Sequence, residues 1–265
     1  MDHPPLLTTD LAWRIERFSA PGEPDGTAAG GVEVRRFGAV VARKAPNAPW
    51  RNGVFCFGRD DVGRLGDVLA WFAADGIDPP FHLGPARFDA TVAAALTDRG
   101  YGQAAFTQAI LYGTPAALLA PAAEGVTVER VTPATYEAFA AVTAGGFGWP
   151  DAWRAAAVRG LIEDVSAADA PLAFLARYGG EPAGAATLTV RDSVAGLGGG
   201  AVLSAFRARG CHLALVRHRV AIAAELGCEL IVGGADYGSS SFRNQYRVGL
   251  RLAYVEATWR KRQAK

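Results

Sequence analysis

Cysteine is scarce in this chain: Cys56, Cys211 and Cys228 are the three among 265 residues. Their spacing matches no metal-ligand pattern and one thiol is left over, which excludes a disulfide framework and leads us to expect a reduced, cytoplasmic setting. Long apolar runs are missing as well. None approaches the ~18–20 residues of a membrane-spanning helix, and Met1-Asp-His-Pro-Pro5 lacks the basic-then-apolar pattern of a leader, so no membrane partner is expected. Net charge is nearly absent, with 27 Lys and Arg against 26 Asp and Glu for a balance of +1. That leaves no electrostatic footprint for DNA or RNA. Of the four histidines, His212 and His218 stand six positions apart on one expected helix and face opposite ways, so no metal is expected. Half the residues are hydrophobic, enough for a sizeable core without staples.

What is present centres on residues 194–228. Val194 to Leu203 is apolar and Gly-rich and reads as a strand. Cys211 to Leu226 contains no Gly or Pro and reads as a helix. Leu213, Val216, Val220 and Ala224 fall at i, i+3, i+7 and i+11, and Leu215, Ile222 and Leu226 widen that stripe into a broad buried face. Gly227 sits where a helix takes a left-handed stop. Between strand and helix lies Arg207-Ala208-Arg209-Gly210-Cys211-His212. A helix N-terminus exposes free N–H groups and roughly half a positive charge, so this loop suits a diphosphate. The backbone amides of Arg209 to Leu213 would do most of the binding, with the Arg207 and Arg209 side chains adding charge. Gly198-Gly199-Gly200 inside the strand reads either as a bulge or as a flexible turn.

These residues resemble the GNAT N-acetyltransferases, whose acyl-CoA loop is written Arg/Gln-x-x-Gly-x-Gly/Ala. Arg207-x-x-Gly210 carries the likeness, which continues through Ala223-Ala-Glu-Leu-Gly-Cys228, a strand from Glu229 to Gly233, Ser241-Phe-Arg-Asn244 and Val248-Gly-Leu-Arg-Leu-Ala-Tyr254. His212 departs from the pattern, which has Gly or Ala there. The resemblance implies that Arg207, Ala208, Arg209, Gly210, Cys211, His212 and Leu213 cradle the pyrophosphate of acetyl-CoA. It implies that the glycine triplet bulges and splays the strand from its neighbour. The backbone of Ala201, Val202 and Leu203 would then hold pantetheine like an added strand, with a freed N–H polarising the thioester. Asn244 either lines the pantetheine arm or is a cap. The family's acid is a Tyr at the position held here by Gln245; Tyr246, one residue on, is the candidate. For the base, Asp236 is preferred over Tyr237, Glu163 and Asp164. Phe147 to Trp153 either walls the acceptor or packs against the first half.

The fold class expected is α/β, with two GNAT-like domains, each a mixed, mostly antiparallel sheet flanked by helices. Residues 1–120 form the first and 121–265 the second, joined by the Ala/Pro-rich Thr114 to Gly125. Both halves run helix, three strands, helix, strand, helix, strand, which reads as a divergent duplication. Where the second half has Arg207 to Gly210, the first has Gly58-Arg-Asp60-Asp61. A carboxylate there caps its own helix and repels a diphosphate, so one cofactor site per chain is expected. The Ala/Gly/Arg-rich, Lys-poor composition suggests a bacterial coding bias.

The function expected is acetyl-CoA-dependent N-acetyl transfer to a small-molecule or peptide amine, by direct attack in a ternary complex, from a monomer or homodimer. Two alternatives stay open: a non-catalytic acyl-CoA-binding or interaction protein, and a tandem acyltransferase of mycothiol-synthase-like type.

Overall fold

The computed structural model describes residues 5–22, 26–27, 31–45, 51–105, 108–115, 124–150, 158–160, 162 and 171–262. The base candidates Glu163 and Asp164 fall outside the described residues, as does most of Thr114 to Gly125.

The chain separates into two compact units: Leu6–Ala109 with Ala253–Lys265, hereafter the N-unit, and Ile110–Leu252 with Met1–Pro5, the C-unit. Each sheet draws on both halves of the sequence. The first sheet comprises β1 (Gly26–Thr27), β2 (Glu33–Phe37), β3 (Val40–Lys44), β4 (Gly53–Phe55), β5 (Phe81–Leu83), β6 (Tyr101–Ala105) and β14 (Ala257–Lys261), in the order β1-β2-β3-β4-β5-β14-β6. The second comprises β7 (Gln108–Gly113), β8 (Val126–Arg130), β9 (Leu172–Tyr178), β10 (Glu181–Arg191), β11 (Val194–Val202), β12 (Leu230–Asp236) and β13 (Arg251–Val255), in the order β13-β7-β12-β11-β10-β9-β8. The last two strands, β13 and β14, thus follow one another directly in the chain but serve different sheets. Both sheets are mostly antiparallel, and each contains a parallel pair, β4 with β5 and β11 with β12.

In the N-unit, α1 (Thr9–Ser19), α2 (Leu65–Ala73) and α3 (Ala90–Asp98) flank the sheet. Phe72, Phe81, Leu96 and Tyr101 form the centre of its core, and Trp259 joins them from the far end of the chain. Among the described residues of the C-unit, the helices whose bounds are given are α4 (Tyr136–Phe147), α5 (Cys211–Glu225) and α6 (Ser240–Val248). The β10–β11 hairpin turns on Asp192 and Ser193, both left-handed at φ 48° and 57°. Such a two-residue turn matches strand twist and fixes the register from Arg191–Val194 onward.

Helix α5 corrects the expected stripe. Its buried residues are Cys211, Ala214, Leu215, Val216, Arg219, Val220 and Ala223, whereas Ala224 and Leu226 face solvent. The face is rotated because an arginine occupies its middle: Arg219 is 2% exposed. Its guanidinium finds backbone carbonyls on the sheet, which lets a charged residue take a core position.

Candidate functional site

The site is built where β11 and β12 part. Their parallel ladder runs from Val194–Leu230 to Leu197–Gly233, while β11 continues to Val202 and β12 to Asp236. On the other side of β11, pairing with β10 jumps from Thr187–Gly198 to Ala185–Ala201. Two residues of β11 therefore oppose one of β10, which is a β-bulge and bends the strand. Gly199 adopts φ 56°. A Cβ on Gly198 would lie 2.7 Å from Thr187 Oγ1, and one on Gly200 would lie 3.1 Å from His212 Nε2. The triplet is thus a bulge with no room for side chains, and the flexible-turn reading falls away.

Beyond the bulge, the Leu203 amide donates to Ala183 O at 3.0 Å. Strand groups alternate sides, so Val202 turns its N–H and C=O away from β10, toward the gap. A Cβ on Gly146, in the last turn of α4, would sit 2.9 Å from Val202 N; glycine there leaves that amide uncovered.

Helix α5 begins beside this wall. Its N-cap is Gly210 at φ 82°, with no side-chain cap and no acid in the first turn. Ala208 is left-handed as well, at φ 61°, a conformation costing about 1–2 kcal/mol in a residue with a Cβ. Left-handed residues at a helix entrance turn successive amides toward one concavity, which receives anions. The two arginines of the loop have protein partners: Arg207 donates to Gly146 O at 3.3 Å, and the Arg209 guanidinium lies 5.0 Å over the Tyr178 ring. The backbone therefore supplies the first-turn donors, with the two cations at its flank.

His212 does not point outward. Its Nδ1 lies 3.3 Å from Asn244 Nδ2 and its Nε2 faces Gly200, so Asn244 and the cradle are brought together under β11. Burial, aided by the nearby charge of Arg219, lowers its pKa to about 4, and the ring is neutral at pH 7. Gln245 is buried against β12, where a Cβ on Gly233 would collide with its amide. Its Nε2 donates to Gly234 O at 3.4 Å and Ser241 Oγ at 3.3 Å. Its buried Oε1 lacks a hydrogen-bond partner among the described residues.

The catalytic candidates stand apart from this group. Asp236 ends β12 and is exposed. Tyr246 is 49% exposed and lies two positions after Asn244, about 200° around the helix. Its ring stacks on Phe242 at 6.2 Å and under Arg251 at 4.9 Å, and Phe242 in turn meets the exposed Tyr237 at 5.0 Å. Phe147 and Trp149 stack at 6.2 Å; Asp151 to Trp153 lie outside the described residues. Sequence reasoning missed Arg219 and the Gly145-Gly146 pair. Glycines near a helix end were the available signal for the pair, while nothing in the sequence marked Arg219 as inward.

The corresponding place in the N-unit is filled by its own side chains. After β4 comes a short 3-10 helix, Arg59–Arg64, which leads directly into α2. The Asp61 carboxylate accepts from Gly58 N at 3.1 Å and pairs with Arg87 at 2.9 Å, and Asp60 pairs with the same guanidinium at 3.1 Å. Beyond β4 and β5 a recess is lined by Glu16, Cys56, Phe57, His82, Gly84, Tyr254 and Glu256 among others. Glu16 enters it from α1, and its Oε1 accepts from Ala86 N at 2.8 Å. A side chain on Gly84 would collide with that carboxylate.

Residues 135–240 match the model of the acetyltransferase (GNAT) family. Among solved structures, the chain is similar to a GCN5-related N-acetyltransferase from Kribbella flavida, at 18% identity and TM-score 0.69, covering 96% of each chain. It is also similar to a tandem GNAT protein from the clavulanic acid biosynthesis pathway, at 14% identity and TM-score 0.57, covering 99% of each chain. A GCN5-related N-acetyltransferase from Sphaerobacter thermophilus aligns at 16% identity and TM-score 0.57, over 86% of this chain and 82% of that one. These structural likenesses show the fold. No curated protein sequence gives a significant match.

Proposed function

From the premise that residues 135–240 form a domain of the GNAT acetyltransferase family, we propose that the chain transfers an acetyl group from acetyl-CoA to an amine. The observation that carries this reading is the uncapped, glycine-led N-terminus of α5 standing beside the splayed end of β11. The amides of Arg209 to Leu213 hold the diphosphate, as free amides at a helix N-terminus hold anions. Ala201, Val202 and Leu203 receive the pantetheine arm, with Val202 presenting its backbone groups, and Asn244 fixes His212 beneath them. Two features support such a ligand: the cradle has no carboxylate in its first turn, and glycine at position 146 leaves no side chain over Val202 N.

In this reading the amine attacks the thioester carbon directly. Nitrogen forms the new bond, the C–S bond breaks, CoA leaves as the thiolate, and the ammonium proton passes through water to Asp236. The protein contributes position and amide donors for the developing oxyanion. Tyr246 is the candidate donor to the thiolate, reached only through water given its outward stacking. The acceptor class is a small-molecule or peptide amine.

One observation favours a second reading, acyl-CoA binding without turnover: the side chain turned toward β12 from α6 is the Gln245 amide, which exchanges no proton near neutral pH. Calorimetric titration with CoA followed by thiol release across a panel of amines separates the two. Binding with release supports transfer, binding without release supports the second reading, and no binding overturns both.

A further inference from the structure

Arg219 sits on the buried face of α5, and its ordinary charge is expensive there. Nε donates to Leu215 O at 3.0 Å, while Nη1 donates to Thr187 O at 2.8 Å and Gly198 O at 2.9 Å. Those last two residues are the pair at which the β10–β11 register breaks. All three acceptors are neutral carbonyls. Burial alone lowers the guanidinium pKa to about 9, so it is still charged at neutral pH. Even a buried ion pair is often replaced by apolar side chains of similar volume without loss of stability, and Arg219 has only neutral acceptors to offset its desolvation. Helix stability alone therefore does not explain an arginine at this position.

The location explains it better. A bulge takes backbone groups out of the ladder, and a buried carbonyl without a donor costs about 1–3 kcal/mol. One nitrogen of Arg219 joins carbonyls on both strands at the break and ties them to α5. The same helix carries the candidate diphosphate cradle at its N-terminus. His212 completes the arrangement. Arg247 Nη1 donates to Asn244 Oδ1 at 3.4 Å, which turns Asn244 Nδ2 toward His212 Nδ1. An amide NH2 only donates, so His212 Nδ1 accepts and the ring proton sits on Nε2, facing Gly200. Arg219 Nη2 lies 3.9 Å from the same spot, where a Gly200 Cβ would be. The underside of the glycine triplet thus rests on an arginine and a neutral imidazole.

We propose that Arg219 is a positioning residue: it locks the Gly198–Gly200 bulge in the shape that presents the Ala201–Leu203 wall to the pantetheine arm of the acyl donor. This rests on the acetyl-CoA reading above. It assigns α5 two separable tasks, diphosphate binding at its amide end and shaping of the strand wall from its buried face.

The test compares CoA with adenosine 3′,5′-bisphosphate and ADP, which lack pantetheine, by calorimetry on the full chain. In wild type, CoA binds at least about tenfold more tightly than either nucleotide, a modest share of what a well-seated arm supplies. In Arg219→Met the nucleotides bind as in wild type, but the CoA advantage falls below about threefold. Arg219→Lys keeps the charge and one donor group, and restores part of the advantage. The circular dichroism spectrum and Tm of each variant report folding. If Arg219→Met does not fold, Arg219→Lys carries the comparison alone, with a CoA advantage between the two limits expected. A full CoA advantage in a folded variant overturns the proposal while leaving the acetyl-CoA reading intact. Absence of CoA binding in wild type overturns that reading, and the proposal with it.

Discussion

At the start of α5 a left-handed glycine leaves the first amides without a side-chain cap; at the start of the 3-10 helix after β4, Asp61 and Arg87 close the corresponding end with two ion-paired side chains. The strands beside them differ in the same sense. In the C-unit, β11 bulges away from its neighbour over three glycines. In the N-unit, Glu16 and the His82–Glu256 pair, 2.8 Å apart, occupy the recess beyond the parallel strands. One sheet plan has therefore been finished in two ways, with polar backbone left open in one unit and satisfied internally in the other. The difference lies in a handful of side chains, because a helix end and a splayed strand pair are binding sites only while nothing of the protein's own fills them.

The comparison breaks most sharply if the open end is closed. Gly210→Asp places a carboxylate at the N-cap of α5, imitating the N-unit. CoA affinity is expected to fall about a thousandfold, the scale of an uncompensated charge pressed into a site, measured by calorimetry with circular dichroism to show that the fold persists.

Glu16 gives the next effect. Burial, with the neighbouring Glu256 charge, raises its pKa from 4.5 to about 7, so the folded protein holds the carboxyl protonated where the unfolded chain has ionised it. That contribution is fully present below pH 4.5 and is lost as pH rises toward 7. It amounts to about 3 kcal/mol between those limits. Glu16→Gln is expected to remove most of this slope in urea unfolding measured across the same range, and an unchanged slope would mean that another group dominates.

Asp61→Ala strips Gly58 N–H of its acceptor and takes from Arg87 the buried one of its two carboxylate partners. A loss of about 2 kcal/mol is expected, seen as a lower urea midpoint, with CoA binding unaltered. If this variant instead gained a second CoA site, the closed end would be only one carboxylate away from an open one. The smallest effect belongs to Tyr246→Phe. With its ring held between Phe242 and Arg251, a change in kcat within about threefold is expected; a loss of about a hundredfold or more would place the hydroxyl in direct proton transfer.

Much of the C-unit was legible in the sequence because its signals are local. The run from Cys211 without Gly or Pro, the Gly227 stop and the glycine triplet each act within a few residues, and helix, stop and bulge appear where those patterns place them. The buried face of α5 was not legible. A charged residue inside a helix is read as outward, and Arg219 points inward only because carbonyls 21 and 32 positions away receive it. The sheet that receives the last strand was not legible for the same reason. Nothing in Ala257 to Lys261 announces that it pairs with Phe81 to Leu83, as Trp259 does with Phe81, across most of the sequence. The inward turn of His212 was not legible either, because the space that admits it depends on residue 200 being glycine. The closed end of the N-unit was half legible. Asp60 and Asp61 were visible as a cap, while the Glu16 carboxylate, brought by α1 from far upstream, was not.

A crystal structure of the full chain with CoA tests the central claim most directly. The account predicts diphosphate oxygens within hydrogen-bond distance of the amides of Arg209 to Leu213, and none at Gly58 to Asp61. Diphosphate seated at the N-unit end, or an empty α5 cradle at saturating CoA, would contradict it.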